Sequence, residues 1–568
     1  MLLPSQALLD SDMQQHPRCF VLKRISLIAL VCIGCWLSFT QQVIAADCPN
    51  FNYDLQNQAA VDAFPANCDV IGGDLSISGA DIRNLQSLSN LSLIRGNLTV
   101  SDTTSLSSLG SFSALTRIEG GLDIHGNSSL SSLNGLHNLQ FVSGYVYVYG
   151  NPALYSIRSL SQLTSVGSGS IGGSLNVSSN AALRDLSGLA GIRSIGSDLY
   201  LDNNPLITDL SDLANLDSVG RDLNISSNAQ LRSMSGLSLT SAVGRSITIN
   251  NNPRLTDLGY LASALSLFTD LDIRSNALLQ SLSGLSAVTS VGSLRIENND
   301  SLLNLDSLSN LGTVNGYLYL RNNDYLADLN GLVNVNRVYG TLHVIFNYRL
   351  ADCRGLAPLL GYPNGNDSVS LGIYIYGNSQ GCNSSKDILL AFESDAKITE
   401  AYIGLLGRAP DPAGLEYWSD ELLALVARGQ NVDIALKKLT NDITLTPEWI
   451  GGGGSGSSSG QSAAEAVVSA MYINLFSRQA TAADLAYWSA ELTNRRVTES
   501  EMVVLLIQGA QSNANTDSQV LEFKRQAASY YVSKVPQSRF SRSSATEAVR
   551  NVYDEDTLWD SKRATDRL

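Results

Sequence analysis

Between Ile71 and Asn378 apolar and polar residues alternate over short runs that return with a fixed period. The runs are Leu122-Asp-Ile-His-Gly-Asn127, Val146-Tyr-Val-Tyr-Gly-Asn151, Leu175-Asn-Val-Ser-Ser-Asn180, Leu199-Tyr-Leu-Asp-Asn-Asn204, Leu223-Asn-Ile-Ser-Ser-Asn228 and Ile247-Thr-Ile-Asn-Asn-Asn252. Leu271-Asp-Ile-Arg-Ser-Asn276, Leu294-Arg-Ile-Glu-Asn-Asn299, Leu318-Tyr-Leu-Arg-Asn-Asn323, Leu342-His-Val-Ile-Phe-Asn347 and Ile373-Tyr-Ile-Tyr-Gly-Asn378 continue them. Their closing asparagines lie 24, 29, 24, 24, 24, 24, 23, 24, 24 and 31 residues apart. Two earlier runs, Leu75-Ser-Ile77 and Leu98-Thr-Val100, lack the asparagine. One such unit cannot bury its own apolar face, so it must stack on copies of itself.

The pattern predicts a mainly β fold with a C-terminal α region: a parallel β-helix, or leucine-rich solenoid, of about 24-residue turns followed by small helical domains. Each Leu-x-Ile run makes a strand with one inward face. Stacking at ~4.8 Å per turn builds parallel sheets over a column of Leu and Ile. The recurrent asparagine is expected to turn inward and satisfy main-chain groups at the corner. The long intervals contain Gly167-Ser-Gly-Ser-Ile-Gly-Gly173 and Pro363-Asn-Gly-Asn366, read as corner insertions, where added length costs little.

After Cys382 strand alternation gives way to helical spacing and a second repeat. Tyr402-Ile-Gly-Leu-Leu-Gly-Arg408, with Leu415-Glu-Tyr-Trp418 and Glu421-Leu422, returns as Tyr472-Ile-Asn-Leu-Phe-Ser-Arg478, with Leu485-Ala-Tyr-Trp488 and Glu491-Leu492. Between the copies, Gly451 to Gly460 reads as a flexible tether with ends ~17 Å apart. Thr498-x-x-Glu501 is a capping box opening the apolar helix Met502-Val-Val-Leu-Leu-Ile507. Tyr417, Trp418, Tyr487 and Trp488 are expected in the helical core, Arg408 and Arg478 to cap or pair locally. The polar segment after Val532 is expected to be loosely ordered.

The 568 residues include 37 Lys+Arg and 52 Asp+Glu, a net charge of −15, with 16% charged and 44% hydrophobic residues and four histidines. That balance leaves no basic footprint for nucleic acid and too much apolar content for wholesale disorder. It also gives little raw material for zinc or imidazole chemistry, so no cofactor and no metal are expected. Lys23-Arg24, the apolar run Ile25 to Phe39 and the small residues Ala45-Ala46 describe a secretory signal peptide over residues 1–46. A lipid-modified Cys35 is the rival reading. No other apolar stretch approaches the ~20 residues that span a bilayer, so the mature chain is expected to be exported, to the extracellular space or outer cell surface, without a transmembrane span. Export leaves Cys48, Cys68, Cys353 and Cys382 in an oxidising compartment. The first two precede the repeats and the last two close them, so Cys48–Cys68 and Cys353–Cys382 are the expected disulfides, each tying down one end.

Two resemblances follow. The Leu-x-Ile strands, the 24-residue period and the cysteine-capped ends resemble the receptor L-domain, the leucine-rich β-helix of growth-factor-receptor ectodomains and fungal cell-wall proteins. This resemblance covers roughly residues 47–385 and implies a module that binds or displays and does not catalyse. The motif Tyr-x-x-Leu-x-x-Arg, then Asp-x-x-Gly-Leu-x-Tyr-Trp, resembles the bacterial family catalogued as domain of unknown function 4214. The first copy carries Asp411 and Gly414; the second has Thr481 and Asp484 there. It implies an exported, surface-layer-like or adhesin-like setting. The chain therefore divides into the signal peptide (1–46), the repeats (47–385), a first helical module (386–450), a Gly/Ser linker (451–462), a second module (463–533) and a polar tail (534–568).

Outward strand positions supply the candidate site. Tyr145, Tyr147 and Tyr149 crowd one turn, with Tyr200 two turns on; Tyr317 and Tyr319, His343, then Tyr374 and Tyr376 fall on successive turns near the end. Tyr319, His343 and Tyr374 share one strand position and should form a ladder ~4.8 Å apart. Exposed tyrosine offers flat, low-entropy contact area with a polar tip, and β-propensity with cross-strand pairing is the plainer reason for it. Asp270, Asp272, Arg274, Arg295, Glu297 and Arg321 gather on adjacent turns; interleaved arginines make them a solvated ion-pair face rather than a glycosidase pair. His125 and His343 stand ~43 Å apart and cannot share a metal. The expected function is non-catalytic adhesion or recognition of a surface protein or glycan through the β-helix, with the helical modules engaging envelope or matrix components. The alternatives are a structural surface-layer or matrix component and, second, a polysaccharide-active enzyme.

Overall fold

In the computed structural model of the chain, the described residues are Cys48 and 51–568, other than 168–171, 238, 242, 260, 262–268, 362–367, 447–461 and 513–514. The signal-peptide segment, the Pro363–Asn366 insertion and the Gly/Ser tether lie outside them.

Each Leu-x-Ile run becomes one strand of a single fourteen-stranded parallel sheet. Its strands are Tyr53–Leu55 (β1), Leu75–Ser78 (β2), Leu98–Ser101 (β3), Leu122–His125 (β4), Val146–Tyr149 (β5), Leu175–Ser178 (β6) and Leu199–Asp202 (β7). Asp222–Ser226 (β8), Ser246–Asn250 (β9), Asp270–Arg274 (β10), Leu294–Glu297 (β11), Leu318–Arg321 (β12), Thr341–Ile345 (β13) and Gly372–Tyr376 (β14) complete it. The register stacks like on like: Leu199 lies opposite Leu175 and Leu223, and Leu201 opposite Val177 and Ile225. A second side carries two-residue strands in sheets of four, three and three. Single 3-10 turns such as Ser211–Leu213 lie between the two strands of a repeat. The inward Leu, Ile and Val side chains form one buried cluster running from Cys48 to Ile388.

The corner after each strand explains the asparagine. From Asp102 to Gly377 the residue before the ladder position is left-handed, with φ between 51° and 71°. Gly, Asn, Asp and Ser fill eleven of these sites, all small or self-bonding residues that tolerate φ > 0, and Phe346, at φ 58°, is the bulky exception. That twist turns the next side chain inward. Asn204 Nδ2 donates to Val177 O at 2.8 Å, and Asn204 N donates to Asn228 Oδ1 at 3.0 Å. The same bonds repeat from turn to turn, so amide stacks on amide through the corner. Thr103 heads the ladder, giving its N–H and hydroxyl to Asn127 Oδ1. Asn378 ends it on Asn383 and the carbonyl of Cys382. Both disulfides pair as expected, with Cα atoms 5.5 Å and 5.6 Å apart, one at each end of the column.

A short helix, Gln58–Asp62 (α1), lies at the N-terminal end. Beyond Cys382 come Ser385–Leu406 (α2), Pro412–Ala427 (α3), Val432–Thr444 (α4), Ala463–Phe476 (α5), Ala482–Thr493 (α6), Glu499–Gln511 (α7), Thr516–Lys534 (α8), Arg542–Arg550 (α9) and Glu555–Thr565 (α10). The expected capping box opens α7. The two helical copies are not separate bodies, because Ile398, Tyr402, Tyr472, Met502 and Tyr531 share one core. Gly404 is a point of close approach: a Cβ there would meet Val503 Cγ2 at 2.3 Å and Leu475 Cδ2 at 3.1 Å, so a larger residue would force these side chains to shift. The segment 534–568 departs from the loosely ordered tail expected of it. Ala545, Ala548 and Val549 make an apolar stripe that joins this core, and Ser541 and Asp554 cap α9 and α10. The stripe is three residues wide, too narrow to stand out against a polar background. Arg354, at the end of the stack, bonds Asp352 and reaches Asp395 on α2, joining the two regions.

Candidate functional site

Register places one row of outward side chains on the long sheet: Asp123, Tyr147, Asn176, Tyr200, Asn224, Thr248, Asp272, Arg295, Tyr319, His343 and Tyr374. A second row, two residues on, runs His125, Tyr149, Ser178, Asp202, Ser226, Asn250, Arg274, Glu297, Arg321, Ile345 and Tyr376. The sheet therefore sorts its outer face into zones. Aromatic rings stand near β5, ion pairs cross β8 to β12, and rings return on β12 to β14.

In the first zone Tyr145 and Tyr147 stack with ring centres 4.4 Å apart, and His125 lies on Tyr149 at 4.7 Å. His125 Nδ1 is 2.8 Å from Asp123 Oδ1. Burial, then the charge of Asp123, pushes the Tyr145 and Tyr149 hydroxyls up from their ordinary value, so both stay neutral donors. Tyr200 stands apart from this group, half-buried between Asp198 and Asp222.

The charged zone is closed on itself. Arg274 Nε donates to Asp272 at 2.6 Å, and Arg245 engages Asp222. Arg295 Nε donates to Glu297 Oε2 at 2.9 Å, and Arg321 lies 3.5 Å from the same carboxylate. Glu297 is buried beneath these two cations. Arginines thus interleave with the carboxylates, while burial raises the Asp272 carboxyl above its usual range, with a smaller push from the nearby charge of Glu297.

Two stacks leave Glu297 toward the C-terminal end of the sheet. Arg295 covers the Tyr319 ring at 4.9 Å, Tyr319 meets His343 at 5.0 Å, and His343 meets Tyr374 at 4.5 Å. Beside it, Arg321 lies 5.7 Å over Phe346, whose ring meets the edge of Tyr376 at 5.4 Å. The ladder expected of Tyr319, His343 and Tyr374 is present. Burial holds the His343 imidazole below its usual range, so it sits neutral between two rings. Tyr317, Tyr374 and Tyr376 are exposed at 39%, 46% and 47%, as are Tyr325, Tyr339 and Tyr348 on the same turns. The rings of the ladder face one another, so what they offer outward is their edges and hydroxyl tips.

Sequence reasoning missed Phe346, which has no place in the Leu-x-Ile alternation. Its signal was its position: the one bulky side chain in a column of small left-handed residues. Tyr417 and Tyr487, expected in the helical core, are instead 58% and 60% exposed. Their neighbours Trp418 and Trp488 pack against that core, because adjacent helix positions point about 100° apart and cannot both face inward. Arg408 is buried against Tyr402 and Phe540 and donates to Ala409 O, a local role as expected. Arg478 also pairs locally, donating to Gln479 O at 3.1 Å and lying 3.6 Å from Asp484, and adds a two-point contact with Asp517, 39 residues on, at 2.7 and 2.6 Å.

Among the described residues no three His, Cys, Asp or Glu are grouped to hold a metal ion, and no helix is long and apolar enough to cross a membrane. The Receptor L domain family model matches residues 67–130 and 116–211. The matched span includes the Tyr145–Tyr149 group and Tyr200 and stops before the second aromatic zone. No curated protein matches the chain.

Proposed function

We propose that the chain is an exported, non-catalytic recognition protein, built as a leucine-rich β-helix that binds a protein or glycan ligand on a cell surface. The binding face is the C-terminal aromatic zone on β12 to β14. One observation carries this reading: the tyrosines most exposed on the strand face, Tyr317, Tyr374 and Tyr376, fall in this zone, beside rings already fixed by stacking. Rings held before contact lose little entropy on binding, and tyrosine couples apolar area to a hydroxyl tip. The family match over residues 67–211 supports a recognition module, and the acid–arginine contacts on β8 to β12 fit an ion-pair face better than an acid–base pair. The helical region, in the likeness of domain of unknown function 4214 and of a bacterial envelope setting, anchors the β-helix to envelope or matrix components.

Replacing both Tyr319→Ala and Tyr374→Ala removes two anchors and is expected to weaken retention on a cell-surface glycan and protein panel by about tenfold or more. The melting temperature of the sheet stays close to that of the parent, since both rings lie outside the leucine column. Retention equal to the parent by a folded double variant would eliminate the aromatic zone as the binding face.

A further inference from the structure

The end of the stack does not meet the helices flush. Between them lies a cavity of about 600 Å³, within the size range of small-molecule sites. Leu360 from the last turn of the stack, with Leu389 and Ala396 from α2, forms an apolar wall. Charged and polar side chains complete the lining: Glu393, Lys397 and Glu400 on the same helix, with Gln511 on α7 and Glu522 and Arg525 on α8. Glu400 on α2 is buried, and Gln511 Nε2 on α7 donates to its two carboxylate oxygens at 3.0 Å each.

The neighbouring cations face other carboxylates. Arg525 on α8 donates through Nε and Nη2 to Glu522 at 2.9 and 2.5 Å. Lys397 on α2 lies 3.7 Å from Glu393 on the same helix and 3.7 Å from Asp433 on α4. The lining thus sets Glu393, Glu400 and Glu522 against Lys397 and Arg525, one negative charge in excess. A carboxylate has about four acceptor positions, and Glu400 uses two of them on a single neutral amide. A buried carboxylate with acceptor positions left beyond its amide partner, beside apolar side chains, fits a group with N–H donors, a positive charge and a short hydrocarbon stem, even with the charges of Arg525 and Lys397 near it.

We propose that this cavity binds an alkylammonium group, its nitrogen hydrogen-bonded to Glu400 and its carbon chain against Leu360, Leu389 and Ala396. A free aliphatic amine and a lysine side chain of a partner polypeptide share this chemistry. Bound there, the ammonium bridges the stack and the helices and ties one to the other. Burial pushes the Glu400 carboxyl up to about 7, while the charges of Arg525 and Lys397 pull it down and that of Glu522 pushes it up. The site is therefore charged for binding above neutrality and discharged below it. Among the described residues Glu393 and Asp433 complete the titratable groups around it; Gln511, Leu360 and Gly361 contribute none.

The test is calorimetric titration of the full chain with n-butylammonium, with n-butanol and butyrate as controls of equal apolar length. Saturable binding of the amine alone near pH 8, weakening about tenfold near pH 6 as Glu400 takes up its proton, and loss of binding in Glu400→Gln support the site. Leu389→Trp, which fills the cavity from its apolar side, must also lose binding, and it decides the matter if Glu400→Gln fails to fold. Tighter binding of a blocked lysine peptide than of butylammonium assigns the cavity to a partner's lysine, and the reverse order to a free amine. Failure of both amines to saturate, or equal affinity in Glu400→Gln, overturns the proposal. Neither result bears on the aromatic zone of β12 to β14.

Discussion

Along the sheet half of the buried polar side chains are amides in rungs, Asn127 through Asn347, with Asp198, Asp222 and Glu297 as the buried acids, whereas around α2 and α8 the buried groups that stand out are ionisable: Glu400, Arg408, Lys524 and Arg525. Both regions solve the same problem, that a buried backbone or side-chain polar group must find a partner. The stack solves it with a neutral group repeated at every turn, so each rung is supported by the one above and below. The helical region has no repeat short enough for rungs and uses singular contacts, such as Lys524 Nζ on Val549 O at 2.8 Å. Neutral rungs are indifferent to proton activity. Singular buried charges are not.

The largest effect that would break this contrast comes from the ladder. Asn228→Leu strips the partner from Asn204 N and from Leu201 O, two buried groups that each cost about 1–3 kcal/mol when unpaired. Urea unfolding should show a loss of about 3–5 kcal/mol, with the same loss across the neutral pH range. A loss below about 1 kcal/mol would mean the rungs are spectators.

The next effect belongs to the helices. Beyond residue 46 every tryptophan of the sequence follows Cys382, so in a chain starting at residue 47 tryptophan emission reports on that region alone. Glu400 is raised from 4.5 to about 7 by burial, so its contribution is fully present below pH 4.5 and is lost as pH rises through about 7, by roughly 3 kcal/mol. Lys524 runs the other way: burial lowers it from 10.5 to about 8, so its stabilising share is present at high pH and is lost as pH falls through that value. Thermal melts followed by tryptophan emission should therefore decline between pH 5 and pH 7.5, and Glu400→Gln should flatten that slope. An unchanged slope in Glu400→Gln would remove Glu400 as its source.

The smallest effect sharpens the contrast by its absence. Arg193 lies 3.9 Å from Asp217 on the outside of the stack, both largely exposed, and Arg193→Ala is expected to change stability by less than about 0.5 kcal/mol. A larger change in the same unfolding assay would show that the outer ion pairs carry weight the rungs were thought to bear.

The repeats were legible from sequence because one interaction repeated eleven times leaves a period. Leucine spacing gave the strands, the asparagine gave the corner, and the cysteines at the two ends gave the caps. The left-handed residue before each asparagine was equally periodic yet unread, since Gly, Ser, Asn and Asp share a backbone preference and no single letter. In the helices the 70-residue offset revealed two copies but not that they interlock, because interlocking rests on contacts between residues distant in sequence, such as Gly404 against Val503. The aromatic candidates were readable by strand position. Phe346 and the Glu400 cavity were not, the first because it breaks the alternation and the second because four elements meet there.

The asparagine ladder has translational symmetry, and this gives the protein a ruler. Removing residues 204–227 would join Asn203 to Asn228, so that the amide of Asn180 would find the same oxygen one rung later and β7 would lie beside β9 with leucine again facing isoleucine. Inserting a copy would lengthen the array by the same step. The spacing between the two disulfide-tied ends, and so the reach of whatever the aromatic turns hold, can be changed in whole increments of one strand width while each rung keeps the same kind of partner.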